Sequence, residues 1–329
     1  MITAYALTNG KVTASQTAAG AALPANTLWL DLESCTTEDI AAVSRFTHIR
    51  LPHLREARHL EQARQNYAEK GICHFSMPVI IGSQSEAPRT GTLHFALSSS
   101  LLITLRDGDS HAVRSYASRI LSDSSQFQDP SSALVHLVQS FVARLADISE
   151  IISHDMEQVS RLVFHESLQR SKAPGRGKPD SWRKVLQGLG KTARLNHRLL
   201  ATLSGIERMT AFASLPAQQE WIGKHHAELA LIQRDLRALA DQANAMVNEA
   251  TFLLDAIVGA ISIEQNNVIK IFSMVAVILM PPTMVASIYG MNFAHMPELD
   301  WLLGYPAALA LMVLSGWLPW HWFRRNGWF

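Results

Sequence analysis

Two apolar stretches near the C-terminal end limit what this chain can become more than any other feature. Residues 271–289 read IFSMVAVILMPPTMVASIY, about nineteen residues without a charge, and residues 304–323 read GYPAALALMVLSGWLPWHWF, about twenty residues with one histidine. A bilayer's ~30 Å hydrocarbon core takes roughly 20 apolar helical residues, so each stretch has the length of a membrane span. Two buried core helices of a soluble protein are the competing reading. Aromatic residues at the ends (Tyr289, Trp301, Tyr305, Trp317, Trp320 and Trp322) weigh against it, because such rings settle at the membrane–water boundary. Residues 290–302 hold no Lys or Arg, whereas Lys270 precedes the first stretch and Arg324-Arg325 follow the second. The excess of positive charge on the flanks puts both ends in the cytoplasm and the connection outside. A hairpin of two spans cannot enclose a conduction path, so a pore would need several copies around an axis.

Composition narrows the class further. There are 29 Lys+Arg against 28 Asp+Glu, so the net charge of +1 offers no global field for nucleic acid, and none is expected as a partner. Charged residues make up 17%, below the usual ~25%, and the deficit lies in the last sixty or so residues. Cys35 and Cys73 have no CxxC partner and read as reduced thiols. Cys73-His74 has the look of half a metal site, but Ile72, Phe75 and Met77 around it favour a buried strand. Residues 1–5 lack the basic and apolar regions of a signal peptide, so the N-terminus is expected to remain cytoplasmic.

Along the chain, Tyr5-Ala6-Leu7, Asn9-Gly10 and Lys11-Val12-Thr13 predict a hairpin around an Asn-Gly turn. Further strands are expected at 28–32, 72–81, 91–96 and 101–105, with a turn over 106–109. Thr36 and Asp39 have capping-box spacing at the start of a short helix. No Gly-rich phosphate loop, HExxH pair or Ser-His-Asp arrangement appears, so an enzyme is not expected. From Asp129-Pro130-Ser131 the apolar period becomes helical, through Leu134, Leu137, Phe141, Leu145, Ile148, Ile152, Met156 and Val163. A basic Gly/Pro loop over 171–179 separates this helix from a second at about 181–212. From about Ala217 nothing strong enough to end a helix intervenes before Pro281-Pro282. A helix continuing to Tyr289 would be a rod on the order of 100 Å long at 1.5 Å per residue. The expected division is a cytoplasmic α+β domain over 1–128, a long-helix stalk over 129–266 and a two-helix transmembrane hairpin over 267–329, with an outer loop at 290–303 and a short basic tail.

The first apolar stretch ends in Tyr289-Gly290-Met291-Asn292, and Met296-Pro297-Glu298-Leu299 follows shortly after. Around them stand Ile263-Glu264-Gln265-Asn266, Met280-Pro281-Pro282-Thr283, Gly304-Tyr305-Pro306 and the tail Arg324-Arg325-Asn326-Gly327. In this order and setting the chain resembles the CorA family of divalent-cation channels, closely from about Gly259 onward and more loosely before it. The resemblance implies a homopentameric channel in the bacterial inner membrane, with both termini cytoplasmic and membrane lipid around the hairpin. It would pass Mg²⁺, and also Co²⁺ and Ni²⁺, as cargo, with no cofactor. Gly290, Met291 and Asn292 would form the selectivity filter. Small, hard Mg²⁺ gives up its water reluctantly, so neutral amide and carbonyl groups can hold it through its hydration shell. Asn292 would contact the hydrated ion in this outer-sphere fashion; it also suits a helix C-cap.

Counting three or four residues at a time along the first span gives Asn266, Ile269, Phe272 (or Ser273), Ala276, Met280, Thr283 and Ser287, polar at both ends and apolar between. In the resemblance these line the pore: Asn266 an inner polar ring, Ile269, Phe272, Ala276 and Met280 a hydrophobic gate, Thr283 an outer polar ring. Asp255 matches the acidic inner entrance, with an ordinary solvated helix position as its plain alternative. Glu298 and Asp300 on the outer loop could gather cations, and His295 lies beside them. The chain departs from the family in its basic tip loop, its short tail and Leu231, which stands where a regulatory carboxylate is expected. Gating by intracellular Mg²⁺ is therefore expected to be weaker or to use other acids. The 14 histidines keep a ZntB-type Zn²⁺ transporter of the same superfamily open as an alternative, although Met291 favours Mg²⁺. A membrane-anchored scaffold is the more remote one, since an anchor has no need of the stripe.

Overall fold

The computed structural model describes residues 1–52, 66–82, 88–172, 180–292, 297 and 301–327. The chain forms two compact units. One comprises Met1–Arg161 and Val185–Leu253, the other Leu162–Lys184 and Leu254–Phe329. Three long helices run through both.

In the first unit, β1 (Ile2–Thr8) and β2 (Lys11–Thr17) make the expected hairpin, with Asn9 and Gly10 at φ 51° and 74° in the turn. These left-handed values are those an Asn-Gly pair tolerates best. β3 (Thr27–Glu33), β4 (Tyr67–Glu69), β5 (Ile72–Ile81), β6 (Arg89–Leu97) and β7 (Leu102–Arg106) complete a seven-stranded sheet in the order β2-β1-β3-β7-β6-β5-β4. Every pair is antiparallel except β3 with β7. α1 (Thr37–Thr47) starts on a capping box: the Asp39 N–H donates to Thr36 Oγ1 at 3.2 Å and the Thr36 N–H to Asp39 Oδ2 at 3.1 Å.

The sheet separates two cores. Leu30, Leu32, Ile103 and Leu105 pack with Ile40 and Val43 of α1 on one face. Trp29, Phe75, Met77, Phe95 and Leu102 face the larger core, built with α2 (His111–Ser122) and with parts of α3 (Pro130–Lys172), α4 (Asp180–Ala213) and the last helix of this unit. Under that face lies a polar chain: Trp29 Nε1 donates to Thr104 Oγ1 (3.1 Å), whose hydroxyl donates to Asp31 Oδ1 (2.6 Å). Arg106, 4% exposed, forks onto Asp31 at 2.9 and 3.2 Å and reaches Glu33 at 2.9 Å and the Gly108 carbonyl at 2.8 Å. Each buried charge is thus matched, and removing one partner of such a pair costs about 3–5 kcal/mol.

Cys73 and His74 are buried on a strand, as the apolar neighbours imply, and they point to opposite faces. The Cys73 thiol contacts Gln218 Oε1 at 3.0 Å. His74 Nδ1 lies 3.3 Å from His94 Nε2, whose Nδ1 is 2.7 Å from Ser76 Oγ. Period-two alternation forbids the two neighbours from sharing a ligand. Burial pushes the Cys73 thiol up to about 12, and lowers His74 to about 4 and His94 to about 3.

α3 begins at Pro130, capped by Asp129, whose Oδ1 accepts from the Ser132 N–H at 2.8 Å. After α4 the expectation of one helix from Ala217 fails. A 3-10 turn (Pro216–Gln218), the short helix α5 (Gln219–Ile222) and a second 3-10 turn (Gly223–His225) come first, and the long helix α6 starts only at His226 (His226–Tyr289). Packing decides this: Gln218 and Ile222 are drawn into the core, bending a segment that local propensity would leave straight. The basic loop over 173–179 lies outside the described residues.

Candidate functional site

The second unit holds the C-terminal part of α6, from Leu254, and helix α7 (Gly304–Arg325). Among the described residues one helix is long and apolar enough to cross a membrane, the one ending at Tyr289, and its apolar window is almost wholly unburied. α7 has 22 residues; its three Trp, His321 and Pro319 make it less apolar. Its last turn carries Arg324 over the Trp320 ring at 5.3 Å, and Trp317 stacks on His321 at 5.1 Å. Such polar-ended aromatic groups suit a headgroup boundary.

α6 continues as helix through Pro281-Pro282. Two prolines remove two backbone N–H donors, which frees the carbonyls of Val277 and Ile278 from their usual partners. Gly316 of α7 sits against this spot: a Cβ placed on it would be 3.1 Å from Pro282 Cγ and 3.5 Å from the Ile278 oxygen. Met274 is buried, and Ile278, Pro281, Pro282, Val285 and Tyr289 are half-buried. At about 100° per residue these six lie within roughly 100° of one another around α6, on the side that meets α7.

The stripe drawn from the sequence is on the other side. Asn266, Ile269, Phe272, Ala276, Met280, Thr283 and Ser287 are all exposed in the single chain, Phe272 and Met280 by 72% and 70%. Relative to Met274 they fall at roughly 160–280°, and Asp255, also exposed, falls at about 260°. Neighbours such as Val275, Leu279 and Met284 are exposed too, so exposure alone does not separate a pore face from a lipid face. The polar members remain bonded within the helix, Thr283 Oγ1 donating to the Leu279 carbonyl (2.8 Å) and Ser287 Oγ to that of Thr283 (2.9 Å). Their lone pairs remain available to water.

α6 ends where Gly290 N–H donates to the Ala286 carbonyl at 2.9 Å and Met291 N–H to that of Ile288 at 3.3 Å. A Cβ on Gly290 would be 3.1 Å from the Ala286 oxygen, so the missing side chain permits the tight exit. Gly290, Met291 and Asn292 are exposed at this end. Glu298, Asp300 and His295 lie outside the described residues. Among the described residues no three His, Cys, Asp or Glu side chains gather closely enough to hold a metal ion. One contact had no signal in the sequence: Trp182 Nε1, at the start of α4, donates to Glu264 Oε2 at 3.1 Å, fixing α6 just before Asn266.

The α+β domain, the long helices and the exposed apolar helix have the arrangement that the resemblance to a family of membrane cation transporters implies, and the comparisons show that family. The family described as "CorA-like Mg2+ transporter protein" matches residues 24–325, and the chain belongs to this family. It is 30% identical over 330 residues to the magnesium transport protein CorA of Escherichia coli (strain K12), with all of both chains covered. Its fold is similar to that of the CorA magnesium transporter from Methanocaldococcus jannaschii, with a TM-score of 0.78 at 16% identity, covering 100% of this chain and 99% of the other. The ZntB cytoplasmic domain from Vibrio parahaemolyticus RIMD 2210633 shares the fold less closely, with a TM-score of 0.54 at 11% identity over 78% of this chain and 95% of that one. The relatives carry the names of transport proteins, not of catalysts.

Proposed function

We propose that copies of this chain, five by the family resemblance, surround a pore lined by the α6 stripe and admit hydrated Mg²⁺ to the cytoplasm, with Co²⁺ and Ni²⁺ as further cargo. The observation that supports this reading most directly is the exposed stripe opposite the α7 contact, ending at Gly290-Met291-Asn292. Water bound to Mg²⁺ is polarised and donates strongly, so the Asn292 amide oxygens and nearby backbone carbonyls are its natural acceptors. Neutral groups hold the ion without trapping it. Further in, rings of Met280, Ala276, Phe272 and Ile269 exclude water when narrow and so stop ions without a plug. Asn266 and Asp255 receive the ion on the inner side, and Glu298 and Asp300 concentrate cations outside. The 1–128 domain and the 129–266 stalk lie in the cytoplasm, with both termini there, and the 267–329 hairpin crosses the inner membrane.

The test is Mg²⁺ uptake into proteoliposomes, with cobalt hexaammine as a mimic whose ammine shell cannot be shed. Uptake blocked by the mimic, and reduced at least tenfold by Asn292→Ala, is the expected result. Unchanged uptake in Asn292→Ala removes the filter. Uptake of Zn²⁺ in preference to Mg²⁺ would move the chain to the zinc-transporting branch.

A further inference from the structure

We propose that a cavity at the start of α2 binds a small organic anion, a phosphate or carboxylate head on a compact apolar body. The cavity, of about 220 Å³, lies wholly in the first unit, between β5, α2, α3 and α4. That is room for roughly seven waters at ~30 Å³ each, enough for a head group and one ring.

Two independent features point to an anion. The first is the helix end. Ser110 takes the N-cap position with extended backbone (φ −127°, ψ 118°) but makes no side-chain cap bond. The first intrahelical bond runs from the Arg114 N–H to the Ser110 carbonyl at 3.1 Å, which leaves the N–H groups of His111, Ala112 and Val113 without a helical acceptor. Aligned peptide dipoles make this end positive, and α2, at 12 residues, is long enough for the effect. The second feature comes from another helix. Thr202 of α4 is 1% exposed, lines the same cavity, and its hydroxyl has no hydrogen-bond partner among the described residues. A buried hydroxyl left unpaired is costly, and a ligand oxygen would satisfy it.

The remaining walls fit the rest of such a ligand. Phe141, Leu145 and Ile148 of α3 and Val79 of β5 supply apolar surface. Arg114 and Arg144 line the cavity with the carboxylate of Asp109, and Arg144 is itself paired with Asp147 at 3.4 Å. The Arg114–Asp109 pair, at 3.0 Å, is 62% and 52% exposed, and a pair so wet yields readily to a better-placed anion. Free anions and anionic lipid-derived fragments share this chemistry, so the head group is what the experiment resolves.

Calorimetric titration of the purified full-length protein would use phenyl phosphate, benzoate, inorganic phosphate and phenol. Saturable binding of phenyl phosphate or benzoate, at least tenfold tighter than inorganic phosphate and phenol, is expected, and the tighter of the two assigns the head. Ser110→Asp sets a capping carboxylate where the head would sit. It should weaken binding at least tenfold while raising or keeping the melting temperature. Thr202→Val keeps the shape and removes the hydroxyl; a several-fold loss is expected. The proposal is overturned if none of the probes binds, or if both variants bind like the parent protein.

Discussion

Replacing Gly205 by alanine should destabilise the protein, against the ordinary rule for helices. Ala exceeds Gly in helix propensity by about 1 kcal/mol, so a Gly→Ala change inside α4 would normally stabilise. At Gly205, however, a Cβ would stand 2.2 Å from Cδ and 2.7 Å from Cγ of Pro78. Carbon atoms rest at about 3.5–4.0 Å, so helix and ring would have to separate by about 1.3 Å or more. The prolyl ring cannot swing aside, because it is part of the backbone of β5, held to β6 from Cys73 to Ile81. Overpacking of this kind costs about 1–3 kcal/mol, and an approach as close as 2.2 Å belongs at the upper end of that range, leaving a net loss of up to about 2 kcal/mol after the propensity gain. Gly188, on the same helix, is the control: its Cβ would meet Val159 Cγ2 at an ordinary 3.8 Å, so Gly188→Ala should stabilise by about 0.5–1 kcal/mol. Thermal melting of both full-length variants in detergent, followed by near-UV circular dichroism, should place them on opposite sides of the parent. A Gly205→Ala protein that melts at or above the parent temperature refutes the close approach.

Three further outcomes follow from the same geometry. Gly316→Leu should separate α7 from α6 at Pro282 and abolish uptake in proteoliposomes, whereas Gly316→Ala, needing a few tenths of an ångström, should retain most of it; equal uptake by both would show that the contact is loose. Met280→Ser should raise closed-state leak of Mg²⁺ by opening the apolar ring to water, and unchanged leak takes Met280 out of the gate. Burial holds His74 and His94 neutral, with values lowered from 6.5 to about 4 and about 3. The unfolded chain therefore takes up these protons first, so stability is full above about pH 6.5 and declines as pH falls toward 4. Urea midpoints should match at pH 8 and 7 and drop at pH 5; a midpoint that rises on acidification contradicts the buried pair.

The candidate stripe could be drawn from the sequence because it is periodic and local. A charge-free stretch, a stripe every three or four residues and an Asn-Gly turn all express the chain's own geometry over a few residues. The stripe needed no partner to be drawn, and in the structure its members fall on one side of α6. The β1–β2 hairpin and the Thr36–Asp39 box were readable for the same reason: each bond closes within the segment that encodes it. The late start of α6 was not, because Gln218 and Ile222 bend the chain only through contacts with distant residues.

The sequence by itself determined the β1–β2 hairpin, most of the other strands and the run of long helices, where the chain is apolar enough for lipid, and which α6 residues share a face. Tertiary structure alone decided that β3 pairs with β7 in parallel, that Gly205 is a contact with Pro78, that His74 meets His94, that Trp182 ties down Glu264, and that α7 covers the α6 face opposite the stripe. The reason is physical: periodicity records how a segment turns about its own axis, while a partner dozens of residues away is chosen by packing, which leaves no trace in either segment alone.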